Sequence, residues 1–323
     1  MLVDSYQRQF HYLRLSITDV CNFKCNYCLP DGYECESSRK FLTLSEIKNL
    51  VSTFAQLGVS KVRITGGEPG LRKDLSEIIG VVKQTSGITK VAVTTNGYNL
   101  ETNIKKWVSA GLDQLNVSID SLNANNFRLI TGSQKHASIL AGLDKAMALG
   151  IQVKVNAVLL RQFNLVEFDT FLNWLKDKDV SLRFIELMQT GDNQAFFSEQ
   201  NVRGATLKQK IENEGWVPVL KTKDAGPALE YTHSDYKGRL GFILPYEKTF
   251  CDSCNRLRVS ATGNLHQCLF AEEGLSLRHL LQSPEQNYEL QEWLQQQLTN
   301  KSASHALHDK QTGATKHLAM LGG

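Results

Sequence analysis

The first half of the chain repeats a short pattern in which apolar and polar residues alternate with the period of two that is typical of β-strands. Between residues 11 and 190 the candidate strands are YLRLSIT, KVRITG, VAVTTN, LNVSID, VKVNAVLL and LRFIEL. In four of them one face is apolar and the other carries polar residues such as Arg14, Arg63, Asn116 and Lys154. Strands buried on both faces usually read as nearly continuous apolar runs. The repeated polar face therefore predicts a wet interior that holds a polar ligand.

Amphipathic helical patterns separate these strands. One begins at TLSE, where Thr43 and Glu46 form a capping box. Further helices are predicted near residues 75–85, 101–110, 137–149 and 165–177. Strands that alternate with helices predict an α/β protein with a parallel sheet and the helices outside. Six units are too few for a complete eight-fold barrel, so we predict an incomplete (βα)6 TIM-type barrel in preference to a doubly wound sheet.

The pattern changes after residue 190, where a loop-like stretch and a short helix lead into predicted antiparallel strands. These strands are WVPVL, ALEYTH, RLGFILP and RLRVSATGNLHQC, and helices finish the chain. We therefore predict two domains, a partial barrel over residues 1–190 and a carboxyl-terminal extension over residues 191–323 that closes the barrel.

Composition and charge restrict the class of protein. The 323 residues are 41% hydrophobic and 21% charged, which is ordinary for a globular protein. The net charge of only +3 predicts neither a nucleic-acid partner nor binding to a membrane surface. The sequence contains no apolar signal segment at its start and no apolar run of membrane-spanning length. We expect a soluble, cytoplasmic protein.

Six of the seven cysteines form two groups of three, Cys21, Cys25 and Cys28 near the start and Cys251, Cys254 and Cys268 near the end. In a reducing compartment such groups hold metal more often than they form disulfides. The remaining Cys35 is interpreted as a loop thiol without a role.

Three thiolates leave one iron of a [4Fe–4S] cluster open to an outside ligand. The first triad follows the first strand, at the carboxyl end of the barrel, where the active sites of such barrels lie. Zinc is the alternative for any C-x2-C pair, and here we favour the open cluster.

The motif C-x3-C-x2-C, with Tyr27 before its last cysteine, resembles the signature of the radical S-adenosylmethionine (SAM) enzymes. GGEP at Gly66–Pro69 resembles the loop by which that superfamily holds the amino group of SAM. The later segment CDSCNRLRVSATGNLHQC is similar to the carboxyl-terminal motif of GTP 3′,8-cyclases, the first enzymes of molybdenum-cofactor biosynthesis. YLRLSITDVCN, TTNG, RFIELM and the terminal Gly322-Gly323 also resemble this family, so the resemblance covers essentially the whole chain.

The resemblance implies two [4Fe–4S] clusters and SAM as cofactors. Cys21, Cys25 and Cys28 would hold the SAM cluster, and Cys251, Cys254 and Cys268 a second cluster whose open iron binds the guanine of GTP. The implied SAM contacts are Tyr27, Gly67, Ser118 and Met188. The implied GTP contacts are Arg14, Arg63, Thr94, Lys154, Arg256 and Arg258, with Lys61 and Arg183 as additions.

The residues themselves agree with a phosphate ligand, because Arg14, Arg63 and Lys154 share the predicted interior face on three strands. A triphosphate needs several cations, and guanidinium groups match phosphate oxygens in pairs. The alternative is that these cations are partners of surface carboxylates.

The reaction implied by the resemblance converts GTP to (8S)-3′,8-cyclo-7,8-dihydroguanosine 5′-triphosphate. An adenosyl radical takes hydrogen from C3′, and the ribose radical then attacks C8 of the guanine. Arg256 and Arg258 are the catalytic candidates, since they would stabilise the charge that develops in the final reduction. The Gly322-Gly323 tail is expected to reach the active site.

The partners implied are GTP, an unidentified one-electron donor and the next molybdenum-cofactor enzyme as acceptor of the product, with the chain as a monomer or homodimer. A radical SAM peptide maturase with an auxiliary cluster is the alternative enzyme. A non-enzymatic alternative is an iron–sulfur electron carrier or a zinc-bound interaction module.

Overall fold

The computed structural model describes residues 1–34, 40–271, 273–309, 311–313 and 318–321. The predictions for Cys35 and for Gly322-Gly323 lie outside these residues. Within the described part of the chain, every helix is too short or too polar to span a lipid bilayer.

The predicted repeat of strands and helices is present. The strands are β1 (Tyr12–Ser16), β2 (Lys61–Thr65), β3 (Lys90–Thr95), β4 (Gln114–Ser118), β5 (Gln152–Leu159) and β6 (Ser181–Glu186). The helices are α1 (Leu44–Gln56), α2 (Leu75–Gln84), α3 (Leu100–Ser109), α4 (Ala124–Thr131), α5 (His136–Ala148) and α6 (Phe168–Leu175). Each strand pairs parallel with the next. The incomplete (βα)6 barrel is thereby confirmed.

The helix predictions succeeded at α1 and failed at α4. The capping box at the start of α1 is confirmed, with the Glu46 N–H donating to the Thr43 hydroxyl over 3.2 Å and the Thr43 N–H donating to Glu46 over 2.8 Å. Helix α4 was not predicted, because it is short and mostly polar. Its signals are the Asn123 cap, which accepts from two backbone N–H groups, and Gly132 at its end.

The carboxyl-terminal region continues the same sheet. It contains α7 (Gln194–Gln200), α8 (Ala205–Asn213), β7 (Val217–Pro218), β8 (Leu229–Thr232), β9 (Arg239–Ile243), β10 (Arg256–Val259), β11 (Asn264–His266), β12 (Leu275–Ser276) and α9 (Asn287–Thr299). The sheet order is β12-β11-β10-β1-β2-β3-β4-β5-β6-β9-β8-β7. Antiparallel pairs join β7 to β8, β8 to β9, β10 to β11 and β11 to β12. The antiparallel strands of this region are confirmed, except that β12 was not predicted. The sequence did not indicate that β9 and β10 also pair parallel with β6 and β1.

Side-chain alternation in the strands separates the core from the interior of the barrel. Leu13 and Ile64 point to the apolar face and belong to the main hydrophobic core, together with residues of the outer helices. Arg14, Arg63 and Asn116 point to the other face and line a cavity inside the curved sheet, called the central cavity below. The predicted polar interior is therefore confirmed.

Candidate active site

The loop after β1 carries the first cysteine triad, Cys21, Cys25 and Cys28. The N–H of Cys28 donates to the carbonyl of Cys25 over 2.9 Å, which closes a tight turn. The N–H of Lys24 donates to the carbonyl of Thr131, the last residue of α4, over 3.0 Å. The unpredicted helix α4 therefore holds the cysteine loop from the side.

The Gly66–Pro69 segment closes β2 and lies directly against the chain that leads into this loop. The N–H of Gly67 donates to the Thr18 carbonyl over 2.9 Å. Gly66 has a φ of +142°, and a Cβ there would lie 2.0 Å from the Thr18 carbonyl oxygen. A Cβ at Gly67 would lie 2.3 Å from the carbonyl oxygen of Val20. Only glycine fits at both positions, so this backbone lies directly against residues 18–20, which lead into the first triad.

Glu68 of the same segment is completely buried and ties it to the end of β3. Its carboxylate accepts from the Thr95 hydroxyl over 2.7 Å, the Asn96 N–H over 2.6 Å and the Gly70 N–H over 2.7 Å. Burial raises the pKa of Glu68 to about 7 in spite of these donors. The Asn96 side chain in turn donates to Cys21 Sγ over 4.0 Å. Glu68 thus fixes the loop, and Asn96 links β3 to the triad.

The surroundings of the first triad oppose the thiolate form. Burial raises the pKa of all three thiols, that of Cys28 to about 12, and repulsion from the other thiols adds to the effect at Cys25. Asp120 also raises the pKa of Cys25. The Asp120 carboxylate accepts from the Tyr27 hydroxyl over 2.9 Å and from the Val158 N–H over 2.8 Å. The thiolates here need a strongly positive partner, which metal ions supply.

The second triad comes from two turns of the carboxyl-terminal region. Cys251 and Cys254 precede β10, and Cys268 follows β11. The N–H of Cys254 donates to the Cys251 carbonyl over 3.1 Å. All three cysteines line the central cavity, so their sulfur atoms can reach a ligand bound inside the barrel.

Both ends of the chain hold the Cys251 turn. The Arg8 guanidinium donates to the carbonyl oxygens of Cys251 over 3.1 Å, Ser302 over 2.7 Å and Ala303 over 2.5 Å. Arg8 Nε donates to the buried Asp4 carboxylate over 2.6 Å, which fixes the guanidinium in place. The second triad is therefore anchored by residues that lie far from it in the sequence.

Charges around the second triad favour the thiolate form. Burial works to raise the pKa of Cys251, but hydrogen bonds, first among them that of His305, lower it to about 7. Burial opposes ionisation at Cys254 as well, yet Arg256 and Lys301 lower its pKa below the ordinary value. The protein itself thus stabilises negative charge at this end of the cavity.

Five arginines line the central cavity: Arg14, Arg63, Arg183, Arg256 and Arg258. The Nε atoms of Arg256 and Arg258 and the Oδ1 atoms of Asn116 and Asn156 are buried there and have no hydrogen-bond partner among the described residues. Burial, and then the charge of Arg258, lower the pKa of Arg14 to about 9. Buried polar atoms are nearly always paired. A cavity of this kind suits an anionic ligand with several hydrogen-bonding groups.

Comparison with known proteins divides the chain into two matched regions. A model described as the radical SAM superfamily matches residues 15–175. A second model, described as Molybdenum Cofactor Synthesis C, matches residues 180–307. The first match contains the Cys21 triad, and the second contains the Cys251 triad.

Curated relatives extend over nearly the whole chain. A GTP 3′,8-cyclase of Vibrio atlanticus (strain LGP32) is 52% identical over 323 residues, 99% of this chain and 97% of the relative. A GTP 3′,8-cyclase of Haemophilus ducreyi is 54% identical over 324 residues, 100% of this chain and 95% of the relative. The chain belongs to the GTP 3′,8-cyclase family. The predicted resemblance is confirmed.

Solved structures support the fold alone. Streptococcus suis SuiB bound to S-adenosylmethionine aligns with a TM-score of 0.61 at 11% identity, covering 88% of this chain and 68% of SuiB. The anSMEcpe protein with bound AdoMet and a peptide aligns with a TM-score of 0.50 at 14% identity, covering 63% of this chain and 58% of anSMEcpe. Both likenesses agree with an open barrel of the radical SAM class.

The structure separates the predicted GTP contacts into two groups. Arg14, Arg63, Thr94, Arg183, Arg256 and Arg258 line the central cavity. Lys154 and Lys61 instead line a second cavity at the amino ends of the strands, called the floor cavity below. Arg183 lines both cavities. The alternation pattern indicated which face each residue occupies, but it could not indicate the depth along the barrel.

Three of the four predicted SAM contacts, Tyr27, Met188 and Gly67, lie beside the first triad or against the chain that leads into it. Met188 lines the central cavity and packs in the same apolar cluster as Cys28. Tyr27 precedes Cys28 and is bonded to Asp120. Gly67 meets the chain before Cys21, and Ser118 is the last residue of β4, at the carboxyl end of the barrel. The roles of these residues stay predictions.

The carboxyl-terminal segment that precedes the glycine tail also lies at this site. Leu318 and Leu321 pack in the apolar cluster with Cys28 and Met188. Backbone hydrogen bonds from Leu318 and Ala319 reach the Cys28 thiol and work to lower its pKa, although burial outweighs them. Residues 318–321 therefore contribute to the surroundings of the first triad.

Sequence reasoning missed several residues of the site. Tyr12 lines the central cavity, and its hydroxyl accepts from Arg63 Nε. It shares the interior face of β1 with Arg14, so the alternation pattern could have identified it. Arg8 and His305 contact the Cys251 turn without any local motif that could have indicated this contact.

The donor set at each triad fits an iron–sulfur cluster. Three thiols at one place leave one iron of a [4Fe–4S] cluster available to a further ligand. All six of these cysteines are free thiols. Over the ranges that the structure describes, no three His, Cys, Asp or Glu side chains are arranged as a single metal ion requires. The fit of each triad to a cluster rests on its three thiols.

Proposed function

We propose that this chain is a lyase-class radical SAM enzyme that converts GTP to (8S)-3′,8-cyclo-7,8-dihydroguanosine 5′-triphosphate, the first step of molybdenum-cofactor biosynthesis. The observation that carries the proposal is the central cavity, where a cysteine triad and five arginines face the same space. Identity of 52–54% over the full length to curated GTP 3′,8-cyclases supports the same reaction.

Two [4Fe–4S] clusters and SAM are the cofactors, with the first cluster on Cys21, Cys25 and Cys28 and the second on Cys251, Cys254 and Cys268. When they are bound, the first cluster and SAM supply a 5′-deoxyadenosyl radical, and the second cluster supplies an open iron for the guanine. The GGEP backbone at Gly66–Pro69 packs against residues 18–20, which lead into the first triad, and binds the amino group of SAM.

The arginines of the central cavity bind and orient the nucleotide. Arg14, Arg63 and Arg183 come from three strands and offer guanidinium groups to the phosphates. The unpartnered Nε–H groups of Arg256 and Arg258 donate to the substrate beside the second triad, and the Asn116 and Asn156 side-chain oxygens accept from its hydroxyl or amino groups. Several convergent contacts hold the ribose in one orientation toward the first triad.

Arg256 and Arg258 are the proposed catalytic residues. They occupy the same face of β10, at the cavity wall that also carries the second triad. Their positive charge stabilises negative charge that develops on the guanine during the final reduction. Apolar side chains, including Met188, Leu269 and Phe270, cover another part of the wall and limit the access of water to the reacting atoms.

The partners follow from the same reaction. GTP is the substrate, and the reduction requires an external one-electron donor. Transfer of the product to the next molybdenum-cofactor enzyme, a cytoplasmic location and a monomeric or homodimeric state are part of the proposal as well.

The test is an anaerobic reconstitution followed by assays with dithionite, SAM and GTP. We expect about eight irons per chain, together with 5′-deoxyadenosine and a cyclic GTP-derived product in mass spectra. If 5′-deoxyadenosine forms while GTP stays unchanged, the substrate assignment is wrong and the peptide-maturase alternative becomes the next candidate. If neither product forms and about half the iron is bound, the two-cluster assignment is wrong.

A further inference from the structure

The floor cavity is strongly cationic. Its lining includes six basic residues, Lys61, Lys90, Lys154, Lys221, Arg183 and Arg239, and two acidic ones, Asp224 and Glu230. Lys61 and Lys90 are the first residues of β2 and β3, so this cavity lies at the amino end of the barrel. With every one of these groups ionised, the lining carries a net charge of +4 (six minus two).

The chain between β7 and β8, residues 219–228, forms one wall of the floor cavity and is called the floor segment below. The Asn255 side chain holds it by donating to the carbonyl oxygens of Lys223 over 2.9 Å and Ala225 over 3.0 Å. Gly226 lines both the floor cavity and the central cavity. The floor segment therefore separates the two cavities, next to the second triad.

Asp224 of the floor segment lies between two lysines. Lys90 Nζ donates to Asp224 Oδ2 over 2.7 Å, and Lys61 Nζ lies 3.9 Å from the same oxygen and donates to the Asp224 carbonyl over 3.1 Å. The Thr222 hydroxyl donates to Oδ1 over 2.8 Å. Burial works to raise the pKa of Asp224, but the hydrogen bonds from Lys90 and Thr222 lower it to about 2. The carboxylate is therefore a bound anion between two cations.

Glu230 differs from Asp224 in how firmly it is held. It lies within β8, accepts from the Ser181 hydroxyl over 2.9 Å and pairs with Arg183. Asp224 belongs to an irregular segment, and its side chain is 29% exposed. Of the two carboxylates, Asp224 is the one that can leave its lysines without breaking a strand.

The two groups of predicted GTP contacts can meet one ligand only if its phosphates pass from the central cavity into the floor cavity. Arg183 lines both cavities and marks the passage. Lys61 lies beyond it, already paired with Asp224. An incoming terminal phosphate and the Asp224 carboxylate would need the same lysines, and two anions cannot share them without a large cost.

We propose that Asp224 occupies the place of the substrate's terminal phosphate in the free protein and must release Lys61 and Lys90 before a nucleoside triphosphate binds fully. Asp224 is thus a specificity-determining residue: it competes with a terminal phosphate and leaves a nucleoside monophosphate unaffected. This inference rests on the proposed function, since it takes GTP as the ligand.

The experiment compares Asp224→Asn with the wild-type holoenzyme by anaerobic equilibrium dialysis against GTP and against GMP. If Asp224 releases the lysines in about one tenth to one third of the free molecules, only that fraction is ready to bind GTP. Asp224→Asn then lowers the Kd for GTP about three- to tenfold and leaves the Kd for GMP unchanged. Asp144→Asn is the matched control, because Asp144 accepts from Lys178 over 2.6 Å on the outer surface. It should change neither Kd.

A second variant tests whether Lys90 receives the phosphate. Adding Lys90→Met to Asp224→Asn should abolish the gain in GTP affinity. Unchanged or weaker GTP binding by Asp224→Asn would overturn the inference, because Asp224 would then be without effect or would position the lysines. A gain that persists without Lys90 would overturn it as well. Failure of the wild type to make the cyclic product would instead contradict the proposed function, so the two failures are distinguishable.

Discussion

The two cysteine triads lie in opposite electrostatic surroundings although each contains a C-x2-C pair. At the first triad burial raises the pKa of each thiol, and Glu68 and Asp120 add to the effect at Cys21 and Cys25. At the second triad neighbouring cations and hydrogen bonds overcome burial and lower the pKa of Cys251 and Cys254. The first site therefore depends on the positive charge of its metal, whereas the second is already arranged for anions.

The difference has a consequence for the substrate. Arg256 and Arg258, whose charges work to lower the pKa of Cys254, also line the central cavity. The same two guanidinium groups thus face a cluster ligand and the space of an anionic nucleotide. At the first triad, Asp120 and Glu68 are the charged neighbours that act on the thiols, and both are acidic. We infer that charge directs the anionic nucleotide as a whole away from the first triad and toward the cavity that the second triad lines.

The largest effect is expected from removing one cysteine of either triad. Cys25→Ala and Cys254→Ala should each reduce the iron content from about eight to about four per chain. Cys25→Ala should abolish formation of 5′-deoxyadenosine, whereas Cys254→Ala should retain SAM cleavage and lose the cyclic product. Iron analysis and mass spectrometry check both. Cys35→Ala is the control and should keep all the iron; full iron in either triad variant would contradict the assignment of two clusters.

Arg256→Ala is expected to separate binding from chemistry at the second triad. Loss of a donor that stabilises developing charge typically lowers kcat about 100- to 1,000-fold. GTP binding should be largely retained, because four other arginines line the central cavity. Single-turnover product formation and equilibrium dialysis measure the two quantities. Arg161→Ala serves as the control, because the Arg161 side chain donates to the Asn201 carbonyl over 2.9 Å at the exposed surface. Unchanged turnover in Arg256→Ala would exclude the catalytic role.

Much of the fold could be predicted because its signals are local. Period-two alternation indicated β1 to β6 and the face that carries Arg14 and Arg63, and cysteine spacing indicated both triads. Parallel pairing of β9 with β6 and of β10 with β1 joins segments that are far apart in the sequence, and no local pattern reports such partners. Helix α4 was missed because its apolar face is short.

The second site was predicted less completely, because several of its contacts join residues that are far apart in the sequence. Its cysteines and Arg256 form one motif, but Arg8 and His305 reach it from the two ends of the chain. Lys154 was assigned to the interior correctly, yet it lies in the floor cavity because alternation specifies a face and not a depth. Asp224 belongs to an irregular segment, which has no periodic signal at all.

Arg8→Ala should weaken the second site more than the first. Breaking a buried ion pair by removing one partner costs about 3–5 kcal/mol, and Asp4 would be left completely buried without its cation. We expect a lower free energy of unfolding of the holoenzyme in denaturant, with loss of iron from the second cluster before the first. The decrease of the second cluster's signal in electron paramagnetic resonance spectra measures this loss.

Arg72→Ala is the matched control near the first triad. Arg72 pairs with Asp74 over 2.6 Å and donates to the carbonyl oxygens of Ile17 and Leu42, each over 3.0 Å. Because the Asp74 side chain is 34% exposed, water can replace the lost partner. The free energy of unfolding should therefore fall less, and the second cluster should stay intact. Equal iron loss from both clusters in Arg8→Ala would contradict the anchoring role.

The smallest expected effect concerns pH and the floor cavity. Burial, and then Arg183, lower the pKa of Lys154 to about 6, although Glu230 opposes them. A phosphate binds the protonated amine, so GTP binding should take up a proton wherever the free amine is neutral. The Kd for GTP should therefore rise about three- to tenfold as the pH increases from 6 to 8. Calorimetry in buffers of different ionisation enthalpy measures the proton uptake.

Lys154→Arg separates this effect from the titration of GTP itself. Arginine stays charged throughout this pH range. The Kd of the variant for GTP should therefore depend less on pH, and the variant should take up fewer protons per GTP bound than the wild type. The remaining slope then reports the phosphates of GTP. An identical slope in both proteins would mean that Lys154 is charged before GTP arrives. In that case Lys154 would already be protonated in the free floor cavity. The difference in charge between the two ends of the barrel would then be larger than a pKa of about 6 for Lys154 implies.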